Sequence, residues 1–209
     1  MIENVSCTEI ATPLATGNRM SDSNIPAEPT LTGARVQLRQ LRASDADDLF
    51  AVHSDPRVMR YWSHVPWTDR EQAAARIAQL ARDRANAEFY TWALTLADDR
   101  LIGTVSLFAI NRTQRRAEVG YALAARAWGH GYATEGLSLA IAHAFGVIGL
   151  ERLEADIDPR NEASCRLVER VGFQREGLLR QRWRVADEVT DSAIYGLLRA
   201  EHGGEMLRR

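Results

Sequence analysis

Between Arg126 and Gly136 the chain reads RAWGHGYATEG, three glycines placed just ahead of an amphipathic run. Glycine lets a main chain come within hydrogen-bond reach of a bulky ligand. A helix starting there offers free N–H groups and the positive end of its dipole. Residues of these types in this order can hold an anion, with main-chain N–H groups from Trp128 to Thr134 cradling a phosphate or diphosphate. The phosphate loop that ends Gly-Lys-Ser/Thr is excluded, because all 26 basic residues are arginine. The dinucleotide fingerprint fits in part. Gly129-His-Gly131 begins Gly-x-Gly, and Asp156 and Asp158 lie about 25 residues further on, where a ribose-binding acid would stand. Against it, Thr134 occupies the third glycine position and Gly129 lies six residues past Leu123, not in a tight turn off the strand.

Flanking elements must hold this loop. Arg116–Leu123 alternates as a strand, and Ala133, Leu137, Ala140, Ile141, Ala144, Phe145 and Ile148 predict a helix from about Ala133 to Ile148. Upstream, Phe89–Leu96 and Leu101–Ile110 read as a hairpin turning at Ala97-Asp98-Asp99-Arg100. Val36, Leu38 and Leu41 give an earlier strand. Ser44/Asp45 open a helix through Phe50 and Val52, which Asp55-Pro56 breaks. Thr68-Asp69-Arg70-Glu71 has capping-box spacing, and the following helix is expected to bury Ala74, Ile77, Ala78 and Ala81. Downstream, Arg152–Ile157 reads as a strand, and Asn161 caps a short helix carrying Ala163, Leu167, Val168 and Val171 that ends at Gly172. Strands near Leu179–Val185 and Val189–Leu198 close the chain. The order β-α-α-β-β-β-α-β-α-β-β predicts an α/β (α+β) fold, a mixed sheet with helices against it.

A chain of 209 residues, 45% hydrophobic and 26% charged, supports one domain with a sizeable core. Residues 1–30, rich in Thr, Ser, Asn and Pro, are expected to form a flexible N-terminal tail before a domain over 31–209, with Met20 an alternative start. A net charge of −2, with arginines dispersed among acids, gives no nucleic-acid footprint. Cys7 and Cys165 make no disulfide framework, and His53, His64, His130, His143 and His202 lack metal-ligand spacing, so no metal is expected. The start Met1-Ile-Glu-Asn is unlike a signal peptide, and the longest apolar stretch, Leu137–Leu150, is too short for a bilayer. A cytoplasmic protein without membrane or nucleic-acid partners is the expectation.

Arg126-Ala-Trp-Gly129-His-Gly131 resembles the acyl-CoA motif Gln/Arg-x-x-Gly-x-Gly/Ala of the GNAT superfamily of N-acetyltransferases. The resemblance covers about residues 34–199, through LRQLRASDADDLFAVHSDPRVMRYW, AEVGYAL, GYATEGLSLAIAHAF, LERLEADIDPRNEASCRLVERVGFQREGLLR and DSAIYGLL in order. It is similar to the branch that contains the Rim-type, ribosomal-protein N-terminal acetyltransferases. The resemblance implies a GNAT fold, with a mixed, mostly antiparallel central sheet splayed at the acyl-CoA site and flanked by helices. It implies acetyl-CoA as co-substrate and an amine acceptor, either a protein N-terminus or a small molecule such as an amino sugar, antibiotic, polyamine or amino acid. A catalytically silent CoA-binding module is the third reading. The coenzyme diphosphate would meet the main chain after Arg126, across Trp128, Gly129, His130, Gly131, Tyr132, Ala133 and Thr134. The pantetheine arm would pair like an extra strand beside Tyr121, Ala122 and Leu123, where a bulge in this superfamily splays the strand from its neighbour. Dimers are common in the family, and the sequence leaves the oligomeric state open.

Acetyl transfer to an amine needs a base, donors for an oxyanion and help for a leaving thiolate. Glu118, opening AEVGYAL, stands where histone-acetylating relatives place their glutamate base; a surface carboxylate balancing Arg115 or Arg116 is the alternative. The resemblance assigns the oxyanion to a main-chain N–H among Tyr121 to Leu123. Many members carry an acidic tyrosine just before Glu-Lys-x-Gly-Phe, where this chain has Val168. Rim-type members use a serine three residues after the helix-capping Asn, and Asn161-Glu-Ala-Ser164 supplies one. Ser164 is then the second catalytic candidate, with Asn161 reaching the pantetheine amides; capping alone is the alternative for both. The late glutamate of the closest Rim-type relatives is absent from Gln181-Arg182-Trp183. His130 either touches phosphate or stands in solvent, and Cys165 reads as a packing residue. Tyr61, Trp62, Trp67 and Trp183 either wall the acceptor cleft or pack in the core.

Overall fold

The computed structural model of the chain describes residues 29–83 and 89–202. The tail expected over residues 1–30, with Cys7 and Met20, lies outside them except at its last two positions. The strands are β1 (Leu31–Thr32), β2 (Gln37–Gln40), β3 (Tyr90–Thr95), β4 (Leu101–Asn111), β5 (Arg116–Leu123), β6 (Arg152–Ile157), β7 (Gln174–Val185) and β8 (Glu188–Leu198). The helices are α1 (Ala46–His53), α2 (Pro56–Met59), α3 (Glu71–Asp83), α4 (Tyr132–His143), α5 (Glu162–Arg170) and α6 (Arg199–His202). One sheet runs β1-β2-β3-β4-β5-β6-β8-β7. Every pairing is antiparallel except β5–β6. Parallel neighbours need a crossover, and α4 provides it.

Helices α4 and α5 pack on one face, where Leu137, Ala140, Ile141 and Val168 join Val105, Val119, Leu153 and Leu197. On the other face α1, α2 and α3 bring Leu49, Val52, Met59, Ile77 and Leu80 against Ala93, Leu101 and Ala122. Covered from both sides, β3 is buried along its whole length. Among the described residues none from β6, β7 or β8 belongs to that second core, and β7 is exposed over most of its length. The sheet therefore has a closed half and an open half, with β5 and β6 at the border. A buried ion pair ties the closed half together: Arg39 of β2 forks onto Asp45 at 2.8 Å and 2.8 Å and reaches Asp99 at 2.5 Å.

Several expectations are corrected. The face of α3 that packs inward is Ala73, Ile77 and Leu80, while Ala74, Ala78 and Ala81 are exposed. Alanine stands on both sides of that helix, so the larger side chains decide which face is buried. Its cap is one residue later than the spacing suggested. Asp69 accepts from the Glu71 N–H at 2.8 Å, and Gln72 accepts from the Thr68 and Asp69 N–H groups. Asp55-Pro56 ends α1 and also starts α2, with the Asp55 carboxylate accepting from the Arg57 N–H and proline in the first turn. Helix α4 continues through a wider turn, Ala144–Ile148, to the expected end. Strand β1 and helix α6, of two and four residues, are too short for periodicity to reveal.

Candidate active site

After β5 the chain turns through Ala125–Ala127 and enters the glycine loop. The Trp128 indole N–H donates to the Leu123 carbonyl at 2.8 Å, folding the loop back on the strand that leads into it. Gly129 and Gly131 have φ of +79° and +78°, the left-handed conformation that other residues resist. Gly131 precedes α4 and supplies no side-chain cap, and the first main-chain bond runs from the Glu135 N–H to the Gly131 carbonyl at 3.1 Å. The N–H groups of Tyr132, Ala133 and Thr134 thus lie in the uncapped first turn, where a helix has no partners of its own for them. This arrangement fits a diphosphate. The Arg126 side chain turns away, to the Leu101 carbonyl at 3.2 Å and Asp48 at 3.7 Å, leaving only its main chain to the loop. The His130 ring pairs with the Trp128 carbonyl at 2.8 Å and stacks on Tyr132. It braces the loop from within.

A second brace was invisible in the sequence. Arg35, between β1 and β2, donates its Nε–H to Glu135 Oε2 at 2.9 Å and its Nη1–H to the His130 carbonyl at 2.8 Å. Its guanidinium also lies over the Tyr132 ring. Arg35 and Glu135 are a hundred positions apart, a separation no local pattern reveals.

The sheet opens beside this loop. β5 and β6 pair only over Arg116–Glu118 and Arg152–Glu154, and Ala155–Ile157 continue with β8 alone. Beyond Glu118 the flank of β5 is free of β6. The expected bulge is not in β5, whose register with β4 is unbroken from Glu118 to Leu123. An extra residue sits instead in β4, between Phe108 and Asn111, where Ala109 has φ +50°. Because the Ala124 N–H donates to the Ile102 carbonyl, even-numbered residues of β5 face β4 and odd-numbered ones face the gap. Tyr121 and Leu123 therefore turn their N–H groups into the opening, and Ala122 does not.

Helix α5 starts across the opening. The Asn161 side chain caps it as expected, accepting from the Ser164 N–H at 3.2 Å. The half-buried Ser164 hydroxyl makes no hydrogen bond to any described residue, while the Ser164 carbonyl accepts from the Tyr121 hydroxyl at 3.3 Å. Burial pushes the Tyr121 pKa up to about 12, which keeps it a neutral donor. That bond ties α5 to β5. Val168 is fully buried in the core, so neither its chemistry nor its position allows an acid role. Cys165 packs against the same core.

On the open face Glu118 is half-buried. Its pKa is raised, first by burial and then by the Asp156 and Glu154 carboxylates, with Arg116 and Arg182 opposing. A carboxylate so placed is a stronger base than an exposed one. The neighbouring acids are held by arginines. Glu154 takes Arg116 at 3.0 Å and Arg152 at 2.7 Å, and Asp158 takes Arg160 at 2.6 Å. Trp183 of β7 donates its indole N–H to Asp156 at 3.1 Å, which puts it on the same face. Tyr61 lies between the Arg60 and Arg160 guanidinium groups. Trp67 instead stacks with His53 and His64, and Trp62 meets the same two rings edge-on, over the α1–α3 core. Of the four aromatics, Trp183 and Tyr61 flank the open face and the other two pack inward. Among the described residues no group of three or more His, Cys, Asp or Glu side chains can hold a metal ion, and no helix is long and apolar enough to cross a membrane.

An uncapped helix start behind two left-handed glycines, beside a sheet that parts just past the half-buried Glu118, suits an acyl-CoA-dependent transferase. The family model described as the acetyltransferase (GNAT) domain matches residues 35–174. The chain belongs to the GNAT acetyltransferase family. It is 33% identical over 176 residues to an uncharacterized N-acetyltransferase, p20, of Bacillus licheniformis, covering 84% of this chain and 99% of that one. It is 28% identical over 144 residues to the spermidine N(1)-acetyltransferase of Escherichia coli, covering 69% and 75%. The solved structure of Mycobacterium smegmatis RimJ in complex with CoA-disulfide shares the fold, with a TM-score of 0.76 at 22% identity over 84% of this chain and 90% of that one. The protein is an acetyl-CoA-dependent N-acetyltransferase.

Proposed function

We propose that the acceptor is the α-amino group at the N-terminus of a protein chain, with Glu118 as the base and Ser164 facing the leaving sulfur. Acetyl-CoA supplies an acetyl group activated as a thioester. An amine arrives largely protonated at neutral pH, and the Glu118 carboxylate takes that proton so that the nitrogen lone pair can attack. The Tyr121 and Leu123 N–H groups point into the gap, where negative charge on the carbonyl oxygen would be met by donors already in place. As the C–N bond forms the C–S bond breaks, the Ser164 hydroxyl and the start of α5 favour the charge developing on sulfur, and the thiolate leaves with the second proton of the nitrogen.

Charge pairing around Glu118 carries the choice of acceptor. Among the described residues Glu118 is in no ion pair, whereas its neighbours Glu154 and Asp156, and Asp158, Glu176 and Glu188 beyond them, each hold an arginine. That leaves one free carboxylate for one ammonium group, with arginines beside it to meet peptide carbonyls. A polyamine would need several free carboxylates in a row. The second reading, a small cationic amine, is favoured by the carboxylates of Glu118, Glu154 and Asp156 standing on adjacent strands. Thiol release from acetyl-CoA separates the two. Peptides with free N-termini should give the highest kcat/KM, and an N-terminally blocked peptide none. A spermidine kcat/KM above every peptide would reverse the choice.

A further inference from the structure

We propose that the turn between β1 and β2 is a working part of the coenzyme site, in which Arg35 fixes the glycine loop and presents its Nη2 to a phosphate of acetyl-CoA. The proposal rests on the assignment of that loop to acetyl-CoA. Three of the guanidinium's tasks are visible in the geometry. Nε holds Glu135, Nη1 holds the His130 carbonyl, and the flat face covers Tyr132, the residue after Gly131. The corner that remains, Nη2, lies 3.4 Å from the point where a β-carbon of Gly131 would stand. It is beside the uncapped helix start, and the Arg35 side chain is 55% exposed. A planar guanidinium suits a phosphate oxygen there.

The turn is built around this contact. The Arg35 and Val36 N–H groups both donate to Glu135 Oε1, at 2.7 Å and 3.3 Å. Gly33 leaves room for that carboxylate, since a β-carbon on it would come within 2.6 Å of Glu135 Oε1. Burial acts to raise the Glu135 pKa, but the hydrogen bonds from Arg35 and Val36 outweigh it and hold the carboxyl below the usual range. The Glu135 charge is thus satisfied by donors of the turn and does not repel a phosphate at the helix start. Without Arg35, the carbonyl of His130 and the ring of Tyr132 lose their shared anchor.

Calorimetric titration of the full chain with CoA, dephospho-CoA and pantetheine tests this. Losing one charge-assisted hydrogen bond should weaken CoA binding by Arg35→Gln about ten- to a hundredfold. Pantetheine, which lacks the diphosphate, should bind the variant and the wild type alike. In turnover the KM for acetyl-CoA should rise by more than kcat falls. Arg35→Lys keeps the charge without the fork and should show a smaller loss; it also serves if the glutamine variant does not fold. An equal loss on CoA and dephospho-CoA supports the proposal and puts the contact on the diphosphate, and a loss on CoA alone supports it through the 3′-phosphate. CoA affinity unchanged in the folded variants, or an equal loss on pantetheine, would overturn it. Failure of the wild type to bind CoA would overturn the loop assignment itself.

Discussion

Replacing Glu118 with glutamine keeps the shape of the side chain and removes its basic oxygen. Loss of a positioned general base costs about 10²- to 10⁴-fold in rate, so kcat at neutral pH should fall by that order. Burial, Asp156 and Glu154 hold the Glu118 pKa above its ordinary value. Wild-type turnover should therefore decline as pH falls through that raised value, and this limb should vanish in Glu118→Gln. The variant should instead gain rate steadily as pH rises and free amine appears. Asp156→Asn removes the stronger of the two repelling charges and should move the wild-type limb to lower pH. Stability should respond with the opposite sign. The folded state disfavours the Glu118 anion, while the unfolded chain ionises near the ordinary value, so stability is lost as pH climbs from there through the raised pKa. Glu118→Gln removes that loss. Its Tm should exceed the wild-type Tm at neutral pH and approach it below the ordinary carboxylate range. The assay is thiol release at saturating acetyl-CoA across a pH series, paired with calorimetric melting. An unchanged kcat at every pH would make Glu118 an ordinary strand carboxylate and refute the assignment.

Ser164→Ala should lower kcat by more than it raises the KM for acetyl-CoA, as steady-state kinetics would show; a change in KM alone would leave the serine a binding residue. Gly129→Asp adds bulk and negative charge at a left-handed position with open space around it. It should abolish the stabilisation by acetyl-CoA, about 2.7 kcal/mol at a hundredfold excess over Kd for the wild type, in melting scans where the ligand-free protein still unfolds cooperatively. Asp45→Ala strands Arg39, whose side chain is 4% exposed. Denaturant titration should show a loss of about 3–5 kcal/mol, and a far smaller loss would mean that Asp99 alone suffices.

Where a segment's own residues decide its structure, the sequence was readable. β5 and β6 fall on Arg116–Leu123 and Arg152–Ile157 as expected, because β6 alternates buried and half-buried positions throughout and β5 does so as far as Gly120. The Asn161 cap and the helix after it follow from one side chain and its neighbours within three residues. The glycine loop was legible for the same reason. What escaped depends on partners distant in sequence. Arg35 meets Glu135 only because β1–β2 and α4 are brought together by the sheet. The raised Glu118 pKa comes first from burial and then from Asp156 and Glu154 on the next strand, neither of which its own segment reveals. Which N–H groups of β5 reach the gap depends on its register with β4, so Ala122 could not be separated from Tyr121 and Leu123 in advance. The bulge was assigned to β5 through the resemblance, while the extra residue lies one strand over, at a left-handed alanine no propensity would choose.

The most direct test follows the acetyl group itself. The full chain is incubated with acetyl-CoA, spermidine and an equimolar peptide that has a free N-terminus and an internal lysine, and the modified atoms are located by fragmentation mass spectrometry. A single acetyl group on the peptide α-nitrogen, with the lysine and spermidine largely unmodified, is the predicted result. Acetylated spermidine beside an unmodified peptide N-terminus would contradict it.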